Sequence, residues 1–249
     1  MLNFLGRTAT VELASDVERR WATDFAARAD RHRDVVVTAE EIESAGLTVG
    51  TLDRLGRSLA TFQLGESGDG DHLRQAAAIS GAGSEYRAAL ASFVREEQEH
   101  GRLLAMVLDE MEYPKRTEHW SDRVFVLLRR SKSLRTEILT MLVAEVIALS
   151  YYSSMRDGFP VFAEIFGRIH DDGVRHVEFH AETLPSYLAQ WSPPVRAGVR
   201  FAWNVLVMGS AFVCAADHRK ALREAGVSPR DFVVQVHADL RELDWKLFA

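Results

Sequence analysis

The sequence predicts an all-α protein, and three observations carry that expectation. Only six Pro interrupt 249 residues. Apolar residues recur at helical rather than alternating spacing across long segments. Cap and stop signals fall between those segments, where helices begin and end.

The elements follow in chain order. A first helix is expected from about Leu13 to Arg31, behind Ser15 and Asp16. Thr38-Ala39-Glu40-Glu41 has the capping-box pattern of a short helix, with Thr at the cap and Glu three residues on. From Leu47 to about Ile79 runs a long amphipathic segment with Gly65, Gly68 and Gly70 in its middle. Glycine costs about 1 kcal/mol relative to Ala inside a helix, so a kink or break is expected there. Gly81-Ala82-Gly83-Ser84 closes that segment and opens a helix reaching about Met111, stopped by Pro114. A connection over 112–133, with a short helix over 121–130, leads to a helix from about Leu134 to Met155. Gly158-Phe159-Pro160 turns the chain into a helix reaching about Gln190, kinked at Pro185, before Ser192-Pro193-Pro194 interrupts. Val195 to Ala225 and Pro229 to Leu247 complete the set. The last begins with Ser228 as N-cap, Pro229 at the first helical position and Asp231 in the first turn. No composition shift marks a linker, so residues 1–249 read as one helical domain.

Thirty basic and thirty-six acidic residues give a net charge of -6, with 27% charged and 47% apolar residues. Those proportions describe a soluble globular chain. They argue against nucleic-acid binding, which needs a basic face to neutralise phosphates. Cys214 has no partner in the chain, so a reducing, cytoplasmic setting is the default. The N-terminus lacks the basic and apolar regions of a secretory signal. Two apolar stretches, Ile138 to Tyr152 and Phe201 to Ala216, fall short of the ~20 uninterrupted apolar residues of a bilayer span and read as core helices.

Chemistry-bearing residues cluster on these helices. Glu96-Glu97-Gln98-Glu99-His100 contains Glu-x-x-His, which puts Glu97 and His100 on one helical face. Alone, such a pair is also what a solvated face looks like. Glu145 lies in Ile138 to Leu149, a run apolar almost all round, and is expected to be buried. An unpaired carboxylate there would cost several kcal/mol, so it requires an Arg, a proton or a metal ion. Residues equidistant from a tight turn share a height in an antiparallel helix pair. Glu66 and the Glu97/His100 pair are equidistant from Gly81-Ala82-Gly83, and Glu145 and His176 from Gly158-Phe159-Pro160. Four helices thus carry these groups at levels that can meet, in a pseudo-repeat of two hairpins.

With those residues in view, the stretch from about 48 to 190 resembles the ferritin-like di-iron carboxylate superfamily. That family's pattern is Glu on one helix, Glu-x-x-His on the next, a long crossover, then Glu and a final Glu-x-x-His. Glu66, Glu97 with His100, and Glu145 supply the first three parts, and Ile169 to His180 resembles the fourth. Where the family has its last glutamate, this chain has Gly173. Three consequences are open. Asp172, four residues before His176, can substitute as a ligand or keep the family's role of orienting a His. The missing carboxylate can leave an open position, or a single ion. The bundle can be a relic without metal.

The resemblance implies a ferritin-like four-helix bundle with added N- and C-terminal helices, about 13–45 and 195–247. It implies an iron oxidoreductase, with manganese second, holding one or two ions through Glu66, Glu97, His100, Glu145 and His176. Its substrates would be dioxygen and a small organic molecule, and the added helices would build a pocket or a homodimer surface. A metal-free structural bundle is the alternative. His170 is expected at the surface or beside a ligand, and His180 in a core hydrogen bond. Tyr151 and Tyr152 are expected to line a pocket or pack, and Cys214 to be a small core residue.

Overall fold

A computed structural model describes the backbone of residues 2–119 and 133–248, with side chains from residue 15. The described residues are helical and contain no strand, as the punctuation predicts. Ten α-helices follow one another: α1 (Leu2–Ala27), α2 (Ala39–Ser44), α3 (Val49–Glu66), α4 (Asp71–Ile79), α5 (Ser84–Glu110), α6 (Leu134–Gly158), α7 (Ala163–Leu188), α8 (Pro193–Asp217), α9 (Arg219–Glu224) and α10 (Pro229–Phe248). One 3₁₀ turn, Pro160–Phe162, joins α6 to α7. The short helix expected over 121–130 lies outside the described residues.

Local chemistry accounts for the boundaries. Thr38 closes the expected capping box, its hydroxyl accepting from the Glu41 N–H while the Glu41 carboxylate accepts from the Thr38 N–H. The glycine-rich middle of the long amphipathic segment breaks it in two, at residues 67–70. Gly70 takes a φ of 68°, a left-handed conformation that costs glycine little. α1 ends at Ala27, four residues short of its expected end, and residues 28–34 form turns. The helix expected from Val195 to Ala225 is also interrupted, at His218 between α8 and α9. There the imidazole turns inward, with Nδ1 2.7 Å from Ser58 Oγ. α7 continues through Pro185, which lies inside the helix near its end, and stops at Leu188. Ser228 caps α10, accepting from the Asp231 N–H at 3.1 Å.

α3 packs on α5 and α6 on α7, while α1 lies along α5 and touches α7. α8 and α10 pack on each other and cover α6. One apolar cluster runs through all of these layers, from Trp21 and Phe25 to Leu247 and Phe248. By length and composition α6 and α8 are each apolar enough to cross a membrane. Most of α6 is inside the core, whereas most of α8 is not.

Candidate metal centre

The sequence-derived candidates Glu66, Glu97, His100, Glu145 and His176 come together between α3, α5, α6 and α7. Two of the helices deliver their groups by close approach. A Cβ at Gly101 would stand 3.0 Å from Ser67 Oγ and 3.3 Å from the Glu66 backbone, so a larger residue would push α5 and the end of α3 slightly apart. That contact sets Glu66 beside His100, the residue before Gly101. On α6, Glu145 is buried in the apolar helix, as expected.

Glu97 is central. Its Oε1 lies 3.4 Å from His100 Nδ1 and 3.0 Å from His176 Nδ1. Glu66 Oε2 is 4.0 Å from His100 Nδ1, and Glu145 Oε1 is 3.7 Å from His176 Nδ1. Two donor triads result, Glu66–Glu97–His100 and Glu97–Glu145–His176, and each could hold a metal ion. Donors ~2.0–2.2 Å from a shared ion stand no more than about 4.4 Å apart. The four imidazole–carboxylate separations, 3.0–4.0 Å, fit that limit. A mixed carboxylate and imidazole set suits a first-row transition ion, so these residues fit the metal that the resemblance implies.

Both imidazoles present Nδ1 to this cavity and are anchored through Nε2. His100 Nε2 is 3.3 Å from Asp172 Oδ2, and His176 Nε2 is 3.0 Å from Glu96 Oε2. Each anchor stands four residues before a histidine on its own helix and grips the histidine of the other helix. The two motifs, Glu96-Glu97-x-x-His100 and Asp172-Gly173-x-x-His176, are therefore crossed mates. Asp172 is also bound by His32 Nε2 and Arg31 Nη1, each at 2.6 Å, with Arg28 at 3.4 Å. These partners hold it on the far side of His100 from the cavity. The geometry therefore gives Asp172 the orienting position rather than the substitute-ligand position weighed from sequence. His32, His100 and Asp172 form a further group that could hold an ion, but Arg31 already supplies the charge there.

Electrostatics match this arrangement. Burial pushes the Glu66 carboxyl up, and the neighbouring Glu97 charge pushes it further. Glu145 is raised by the same two causes. Burial also opposes ionisation of Glu97, but hydrogen bonds from His100 and His176 outweigh it and keep that carboxyl low. Burial disfavours charge on His100, yet Asp172 and Glu97 raise its pKa to about 10. His176 is raised against burial by Glu145, Glu96 and Glu97. Asp172 stays ionised despite burial because His100 and His32 donate to it. The pocket is thus a set of bases and acids that share protons while no cation is held.

A small cavity opens beside this cluster, lined by Glu66, Glu97, His100, Glu145, Tyr152 and Gly173 among others. Its free volume of about 10 Å³ is close to a single water centre. A Cβ on Gly173 would stand 3.9 Å from Glu145 Oε2, and its tightest neighbour would be Leu149 Cδ2 at 3.1 Å. The space beside Gly173 is about one water in size, so a carboxylate side chain there would need Leu149 to shift. Tyr152 faces the cavity and donates to Glu66 Oε1 at 2.8 Å. Tyr151 turns away and packs, 2.6 Å from Ser58 Oγ. His170 lies at the mouth.

His180 departs from expectation. It is fully buried between Phe93 and Phe179, and neither ring nitrogen has a hydrogen-bond partner among the described residues. Burial, reinforced by the nearby His176 charge, lowers its pKa to about 3 and keeps it neutral. Cys214 is part-buried, with a thiol that burial pushes up, consistent with a packing role.

Sequence reasoning missed Glu96, His32, Arg28 and Arg31. Glu96 had a signal, the shared spacing of an acid four residues before each histidine. The other three come from the turn after α1, and no motif tied them to the cluster. No protein-family model matches the chain, and no curated protein or solved structure is significantly similar to it.

Proposed function

We propose that the chain is a metal-dependent oxidoreductase built on a ferritin-like four-helix bundle, and that iron, with manganese second, is its metal. The observation that carries this reading is Glu97 Oε1 set between two imidazole Nδ1 atoms, each backed by its own further carboxylate. Glu66, Glu97 and His100 would hold one ion, and Glu97, Glu145 and His176 a second. Bound iron would supply the reduction of dioxygen and the oxidation of a small organic substrate.

The chain's own residues prepare that chemistry. Asp172 and Glu96 fix the two imidazoles with Nδ1 toward the cavity, where a bound ion would take the place of the Nδ1 proton, because a carboxylate on one ring nitrogen raises the basicity of the other. Tyr152 keeps a proton at its hydroxyl against Glu66 Oε1. Ala148, Leu149 and Ile169 provide apolar wall, which limits water. Gly173 leaves a water-sized position next to Glu145. Two divalent ions against the charges of Glu66, Glu97 and Glu145 leave one positive charge, which favours an anionic group at that position.

One observation favours a metal-free bundle as second reading: the five side chains already pair with one another, so shared protons can balance the cluster. Elemental analysis after anaerobic ferrous loading, followed by absorption spectra on admitting air, separates the two. We expect between one and two iron per chain and a new charge-transfer absorption. Iron near zero would support the metal-free bundle.

A further inference from the structure

We propose that α8 is the interface of a homodimer, packed antiparallel against α8 of a second copy about a two-fold axis at Val205. α8 is apolar on two opposite sides. Trp203, Val207, Ala211 and Ala215 face the core, with Trp203 Nε1 donating to the Leu139 carbonyl. On the other side Pro194, Gly198, Phe201, Ala202, Val205, Gly209, Phe212 and Ala216 are all exposed and share one stripe at helical spacing. No charged residue occurs from Phe201 to Ala216. A helix that is hydrophobic all round belongs in a position buried on both sides.

The extent of the face suits a second protein surface. α8 has 25 residues, about 37 Å of helix. Phe201 and Phe212 are 74% and 62% exposed, and Trp245 on the adjoining α10 is 70% exposed. Arg200 and Asn204 bind Asp244, the residue before Trp245, so that α10 is tied to this end of α8. At ~150–250 Å² per aromatic side chain, Phe201 and Phe212 alone expose roughly 270 Å². Val195, Val205, Val213 and the small residues extend that toward the ~800 Å² per partner of a standard interface. Few monomers expose an apolar patch of more than ~300–600 Å².

The occupant is identified by the order of residues along the stripe. A two-fold interface must be complementary to itself. With the axis at Val205, Phe201 of one copy falls opposite Gly209 of the other, and Phe212 opposite Gly198. Pro194 falls opposite Ala216, and Val205 meets Val205. Large side chains therefore enter positions vacated by glycine. Above both glycines the space is open, with nothing within 4 Å of a built Cβ.

Sedimentation analysis of the full chain tests the association, and cysteine cross-linking tests its register. We expect a dimer of twice 28.0 kDa. Val205→Lys places like charges on the axis and should weaken the dimer at least ~100-fold while leaving helical content unchanged. In a Cys214→Ala background, Val205→Cys should cross-link to itself. Phe201→Cys and Gly209→Cys should cross-link when mixed, and Phe201→Cys alone should not. A monomer throughout the concentration range would overturn the proposal, as would a dimer without the Val205→Cys cross-link. A monomer that floats with phosphatidylcholine vesicles would assign the face to a membrane surface and equally overturn it.

Discussion

Glu97 is held below the usual carboxylate range although it sits deep between helices, because two imidazoles donate toward it and outweigh the loss of solvent. The same position makes it common to both donor triads, whereas Glu66 and Glu145 each belong to one. Substitutions should therefore differ in kind. Glu97→Gln is expected to abolish iron loading altogether, and Glu145→Gln or Glu66→Gln to remove at most one ion. Elemental analysis of the three purified variants reads this directly, and equal losses in all three would contradict a shared Glu97. Gly173→Glu restores the crossed mate of Glu97, and Leu149, whose Cδ2 would be 3.1 Å from the added Cβ, has to give way. Iron stoichiometry should rise toward two, and unchanged stoichiometry would show that the position was never a ligand vacancy. These five residues and Gly173 were legible in the sequence because Glu-x-x-His and a carboxylate in an apolar run restrict what a helix can do with them. Arg28, Arg31 and His32 were not, because their role depends on a turn that folds back onto Asp172 from well over a hundred residues away.

At the scale of elements, His218 marks the break between α8 and α9 that helical periodicity alone did not reveal. Its imidazole joins Ser58 of α3, which in turn meets Tyr151 of α6, so one buried hydrogen-bonded chain ties three parts of the fold together. The sequence carried no sign of it, since a single histidine among helix formers does not announce an inward turn. Burial lowers the His218 pKa to about 4. The native state therefore resists a proton that the unfolded chain accepts near pH 6.5. Stability from this residue is intact above pH 6.5 and is lost progressively as pH falls to about 4, up to roughly 3 kcal/mol. Urea unfolding at pH 7 and pH 4.5 should show a larger loss for the wild-type chain than for His218→Gln. Identical losses would mean that another group sets the acid sensitivity. By contrast the break at residues 67–70 was foreseeable, because three glycines in six residues remove helix propensity locally.

For the whole molecule, the helical class followed from the spacing of Pro and Gly and from apolar periodicity. The convergence of four helices on one cluster followed from the positions of the turns at 81–83 and 158–160. Which faces remain uncovered did not follow, since an apolar helix such as α8 reads as core whether one side or two are buried. The cavity beside Gly173 depends on all four helices keeping their relative heights, as does the shared position of Glu97. Anomalous diffraction at the iron absorption edge, from crystals of iron-loaded protein, tests that convergence most directly. We predict peaks flanking the Glu97 carboxylate, within bonding distance of His100 Nδ1 and His176 Nδ1. Density instead between His32, His100 and Asp172, or no peak near Glu97, would contradict the account.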